Sequence, residues 1–128
     1  MTATLRSVLV CLALSACASA PAAPASVSPV SLEGTWKVDL RPVPGAADYY
    51  KSLVVTDVKD KTFSGTFYGT PLRDGTLNTD WGAVRFAFVT EDLSGAYNHA
   101  GVLRDGKLEG TSHSLGRKRL SYWSAVRE

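Results

Sequence analysis

Two histidines, a few acids and one cysteine beside small residues are the side chains of this sequence best equipped to act on another molecule. His99 and His113 could share a metal ion, or one could serve as a general base, if the fold put both on one surface. Asp60, Asp74, Asp80, Glu91 and Asp92 fall in turn-forming stretches, where an aspartate caps and solvates the chain. Two such acids converging at strand ends would make a pair for general acid-base work. No G-x-S-x-G elbow, H-E-x-x-H pair or phosphate-binding glycine loop occurs. Tyr49, Tyr50 and Trp81 lie in or near loops and could grip a ligand, although capping the core is their plainer use. Cys17 closes the stretch Leu14-Ser15-Ala16-Cys17.

Whether any of these groups meet depends on the elements that carry them. From Leu32 onward no window holds a helical stripe, while alternation at period two recurs. Leu32, Gly34, Trp36, Val38 and Leu40 alternate with Glu33, Thr35, Lys37, Asp39 and Arg41, giving one dry and one wet face. Further runs at 50–58, 62–70, 74–79, 83–90, 94–104, 107–114 and 118–127 bring the expected strands to eight. Asp74-Gly75 and Asp105-Gly106 suit type I′ hairpins, whose two central residues both need φ > 0. Short connections make neighbours antiparallel, and closure removes both exposed edges. The expected fold is all-β: a small eight-stranded antiparallel up-and-down barrel. Leu32-Glu33-Gly34-Thr35, Phe63-Ser64-Gly65-Thr66 and Leu108-Glu109-Gly110-Thr111 share a pattern in which glycine makes room for a coiled strand to bend.

Register then separates the histidines. With Asp105-Gly106 as a two-residue loop, Arg104 faces Lys107, His99 faces Ser112 and Asn98 faces His113. Successive residues point to opposite sides of a sheet, so His99 and His113 do not share a metal, and no metal site is expected. Tyr97, His99, Gly101, Leu103, Leu108, Gly110 and Ser112 take the inner face. An inward histidine is most simply held by a neighbour, here Tyr97 or Ser112; its sharper use is to orient a small ligand. Trp36, Phe63, Phe67, Phe86, Phe88, Tyr97 and Trp123 fill a narrow interior, which leaves the barrel mouth for any ligand.

The N-terminus carries a single charge, Arg6, then the apolar run Ser7–Leu14, which is the layout of a secretory signal. A spanning helix would need roughly 20 apolar residues. Cleavage after Ala18-Ser19-Ala20 is disfavoured by Pro21. Leu14-Ser15-Ala16-Cys17 resembles the bacterial lipobox. That resemblance implies a signal peptide over residues 1–16, a Cys17 carrying diacylglycerol and palmitate-type chains, and a membrane as partner; two or more chains anchor stably where one does not. By the same resemblance Ala18 implies, in a Gram-negative envelope, the outer membrane facing the periplasm or the cell surface. Residues 17–31, rich in Ala, Pro and Ser, read as a spacer reaching up to about 40 Å from the bilayer. Residues 32–128 form the single folded domain.

Loss of Arg6 with the signal leaves 13 basic against 12 acidic residues (14 minus 1, against 12), a balance that argues against nucleic acid as a partner. The one basic cluster, Arg117-Lys118-Arg119, reads as a solvated turn or strand start. Cys11 leaves with the signal and Cys17 is acylated, so disulfides, thiolate metal sites and cysteine catalysis are excluded, and no cofactor is expected.

Gly34-x-Trp36 on the first strand, with Arg127 shortly after Trp123 on the last, resembles the lipocalin and calycin arrangement. It implies that Trp36 plugs one end of the barrel and Arg127 covers it. Gly34-Thr35-Trp36 and Trp123-Ser124-Ala125-Val126-Arg127 are also similar to the end strands of small secreted bacterial barrels. The chain has no room for the long first loop and terminal helix of a lipocalin, so the resemblance implies a fold rather than a ligand. The function expected is that of a non-catalytic envelope lipoprotein binding a protein partner or small apolar ligand through His99, Tyr97, Tyr49, Tyr50 and Trp81. A periplasmic inhibitor of lysozyme or a protease is the alternative, since Ser64-Gly65-Thr66-Phe67-Tyr68 resembles the S-G-x-x-Y stretch of one lysozyme-inhibitor family. An enzyme built on His99 is the third.

Overall fold

The period-two alternation builds strands along almost the whole folded part of the chain. A computed structural model describes residues 16–22 and 25–128. The expected signal peptide lies outside the described residues apart from Ala16. In chain order the strands are β1 (Gly34–Asp39), β2 (Tyr50–Lys59), β3 (Thr62–Phe67), β4 (Thr70–Pro71), β5 (Arg73–Asn78), β6 (Val84–Asp92), β7 (Gly95–Arg104), β8 (Lys107–Ser114) and β9 (Arg119–Arg127). β1 lies between β2 and β9, the strands from β5 to β9 pair in chain order, β5 also meets β3, and β2 pairs with β3 to close the ring. The fold is the expected eight-stranded antiparallel barrel, with β4 as a short ninth strand against β3.

Two Asp-Gly pairs behave differently. Asp105 and Gly106, at φ 52° and 75°, form the expected two-residue loop, and the register runs through Arg104↔Lys107, His99↔Ser112 and Asn98↔His113. Asp74-Gly75 is not a hairpin turn, which corrects the expectation. Asp74, at φ 55°, sits in a bulge inside β5 where the register to β6 shifts. The turn after β3 is made by Tyr68 and Gly69, at φ 56° and 75°, between the paired residues Phe67 and Thr70. β3 meets β5 through one residue pair, Thr62↔Thr76.

The inner face is filled by aromatic rings. Phe63, Phe67, Phe86, Phe88 and Trp123 are buried, and Phe67 lies 5.7 Å from Phe88 and 5.9 Å from Trp123 between ring centres. Each such side chain contributes roughly 1.5–3 kcal/mol on burial. Gly110 makes this packing feasible: a Cβ there would come within 2.3 Å of the Trp123 ring. Its place in the recurring strand pattern thus has a packing cause as well as a bending one. At Gly65, φ 150° and a close approach to the Val54 carbonyl let β3 cross β2 tightly.

One end of the barrel is sealed. A 3-10 turn, Pro29–Leu32, lies across it, with Leu32 fully buried. The Trp36 indole N–H donates to the Leu32 carbonyl at 2.9 Å, and the Arg127 guanidinium lies 4.2 Å above the Trp36 ring. Arg127 also donates to the carbonyls of Glu33 and Ser31 at 2.7 and 2.6 Å. Val27 packs against the core, and its N–H donates to the Thr79 carbonyl at 3.3 Å. The last residues of the stretch read as a free spacer are therefore docked on the barrel. The opposite end is open.

Candidate binding mouth

Alternation along β6 places Val84, Phe86, Phe88 and then Thr90 inward, and alternation along β7 places Tyr97 and His99 inward beside them. The apolar filling thus gives way to polar side chains at the open end. There, a cavity of about 310 Å³ opens. That is the lower end of the range for small-molecule sites. The ends of β1, β3, β6 and β8 and the starts of β2, β7 and β9 surround it.

His99 forms its floor. Only 4% of the residue is exposed, and both ring nitrogens are engaged. Nε2 is 2.8 Å from Thr90 Oγ1 and Nδ1 is 2.6 Å from Ser112 Oγ. Ser112 Oγ also accepts the Trp123 indole N–H at 3.0 Å. The ring stacks on Phe88 at 4.5 Å and meets Phe67 edge-to-face at 4.9 Å. Burial pushes the imidazole pKa down to about 4, so the ring is neutral at pH 7. A base of that strength abstracts protons poorly near neutrality. Among the described residues no carboxylate orients the ring, and Ser112 already accepts a hydrogen bond that weakens it as a nucleophile. The arrangement suits recognition by hydrogen bonding.

The walls and rim mix tyrosines with charge. Tyr97 stacks over His99 with ring centres 6.2 Å apart, and its hydroxyl meets Ser94 Oγ at 2.7 Å. Tyr49 and Tyr68 are hydrogen-bonded through their hydroxyls, and the Lys51 ammonium lies 4.7 Å from the Tyr68 ring centre. The bond to Tyr68, then burial, holds the Tyr49 hydroxyl above its usual pKa. Glu91 is paired with Arg73 at 2.7 Å. Asp92 accepts the hydroxyl and the backbone N–H of Ser94, which hold it below the usual carboxylate range. Arg117 and Arg119 line the same rim, and neither has a salt-bridge partner among the described residues.

Of the residues picked out from sequence, His99, Tyr97 and Tyr49 meet at this mouth. Tyr50 does not line it: the Lys37 ammonium covers its ring at 4.3 Å. Trp81 belongs to the loop between β5 and β6, at the sealed end, where it is two-thirds exposed. His113 is exposed on the outer face. Cys17 is exposed in the chain before the barrel. The sequence assigns none of Thr90, Tyr68, Arg117 and Arg119 to a binding site: Tyr68 enters only through the S-G-x-x-Y resemblance, and the two arginines only as a solvated turn or strand start. Thr90 was within reach, because it continues the alternation of Phe86 and Phe88 with a polar residue. The arginines were not, since a basic turn looks the same whether or not a cavity opens beneath it. No protein-family model, curated protein or solved structure matches the chain.

Proposed function

We propose that this is a lipid-anchored envelope protein that binds a small ligand at the open mouth of its barrel without transforming it. The carrying observation is the mouth cavity, whose floor is a neutral histidine held by two hydroxyls and whose rim carries aromatic and charged side chains. The tether reading adds an orientation. Val27 and the turn Pro29–Leu32 dock at the sealed end, and an anchor at Cys17, upstream of them, would on this reading turn the mouth away from the bilayer.

Titration of the isotopically labelled full chain with a panel of single-ring fragments of mixed charge tests the binding reading. Amide shifts at Thr90, Tyr97, His99 and Ser112 are expected for at least one fragment; a panel that moves none of them removes the reading. The anchor is tested separately. Cys17→Ser should abolish incorporation of labelled palmitate and leave the precursor uncut, and continued labelling of that variant would refute lipidation at Cys17.

A protein partner is the second reading, favoured by Leu93, which stands fully exposed at the hairpin tip beside the mouth. An inhibitor of lysozyme or a protease would use such a tip. Full lysozyme and protease activity at excess barrel would dispose of it.

A further inference from the structure

The floor of the mouth has one more hydrogen than it has bonds. Four hydrogens belong to it: the Trp123 indole N–H, the Ser112 hydroxyl, the single N–H of neutral His99 and the Thr90 hydroxyl. They serve three bonds, Trp123 to Ser112, Ser112 to His99 and His99 to Thr90. The indole can only donate. If His99 carries its proton on Nδ1, it donates to Ser112 and accepts from Thr90, which frees the Ser112 hydrogen. If the proton is on Nε2, Ser112 donates to Nδ1 and the Thr90 hydrogen is freed. Either tautomer leaves one hydroxyl hydrogen without an acceptor among the described residues, and Thr90 and Ser112 both line the cavity.

An acceptor supplied by a ligand should be neutral. It would stand beside the faces and edges of Phe67, Phe88 and Tyr97 around His99, where a charge is poorly solvated. A charged group belongs at the rim, and the rim selects its sign. With Glu91 offset by Arg73, the lining residues Arg117 and Arg119 face the one carboxylate of Asp92, which Ser94 engages and whose charge Arg117 partly offsets, leaving one positive charge over. Between rim and floor, Tyr97 and Phe67 offer aromatic surfaces to a flat body.

Building on the mouth-binding reading, we propose that the cavity takes a small aromatic monocarboxylate, its carboxylate at Arg117 and Arg119 and a neutral carbonyl or ether oxygen at its far end accepting the spare hydroxyl hydrogen of Thr90 or Ser112. A volume of about 310 Å³ limits the body to about one ring with its substituents.

The test uses ligand pairs, because deleting a floor hydroxyl only moves the spare hydrogen to another member of the chain. The full chain in detergent is titrated with 4-acetylbenzoate, with 4-acetylbenzamide, which lacks the charge, with 4-isopropylbenzoate, which lacks the acceptor, and with the cation 4-acetylbenzylammonium. Affinity is read from the His99 and Ser112 amide shifts. 4-Acetylbenzoate should bind at least tenfold more tightly than each of the others. Arg117→Gln with Arg119→Gln should bring its affinity down to that of the amide. Equal affinity for the amide, or tighter binding of the cation, overturns the anionic rim; equal affinity for 4-isopropylbenzoate overturns the floor donor. In those outcomes the mouth still binds, and only this inference fails. If no probe moves either amide, the mouth-binding reading fails as well.

Discussion

His99 couples the fold to pH. In the unfolded chain an imidazole takes a proton near pH 6.5, whereas burial delays this to about 4 in the barrel. The unfolded state therefore binds more protons between these values, and stability falls as pH falls through that window. Above about pH 6.5 the contribution is constant, and below about 4 no more is lost. The difference corresponds to an upper bound of about 3 kcal/mol. Asp39, held low by Arg41, and Asp92, held low by Ser94, add acid sensitivity that begins as pH falls through the ordinary carboxylate range and continues below it. Urea unfolding at pH 7.5 and 4.5 should show the loss, and His99→Gln should flatten it; an unchanged slope in that variant would mean that His99 is not its source. The inward position of His99 and its pairing with Ser112 were legible from one Asp-Gly loop. Its neutrality was not, because burial depends on Phe67 and Phe88 from strands distant in sequence.

At the scale of the element, local signals mislead where two strands can use the same backbone conformation differently. Asp-Gly favours φ > 0, and both Asp74 and Asp105 adopt it, yet one makes a bulge and the other a turn. Tyr68 takes the turn position without any local preference for it, because Phe67 must point into the core and Thr70 must pair back with it. The recurring apolar-x-Gly pattern was visible, but the ring lying against Gly110 was not. Gly110→Ala should force Trp123 out of its place and cost roughly 1–3 kcal/mol, as overpacking does. Thermal unfolding and near-ultraviolet dichroism would check this; a native spectrum and unchanged midpoint would show that the ring has room to move.

Over the whole molecule, the two ends divide the work: one is closed by Leu32, Trp36 and Arg127, and the other carries the cavity. Arg127 is exposed, so its bonds are partly screened, but it joins the last strand to the segment before the first. Arg127→Ala should cost about 1–2 kcal/mol. It should also speed hydrogen exchange at Val27 and Glu33, with ligand shifts at His99 preserved. Protection at those two amides equal to that of the parent would mean that Leu32 and Trp36 hold the closure by themselves.

What the sequence by itself determined is whatever depends on neighbours along the chain. Alternation made the strands, the Asp105-Gly106 loop set the register of β7 and β8, and that register put His99 inside and His113 outside. Only the tertiary structure decided which strand ends meet. Closure gathers Tyr49, Tyr68, Thr90, Tyr97, Arg117 and Arg119 around one cavity and sends Trp81 to the far end. The reason is physical: pairing and alternation are local, but the path of a coiled barrel, and the solvent excluded by its far wall, are properties of all eight strands together.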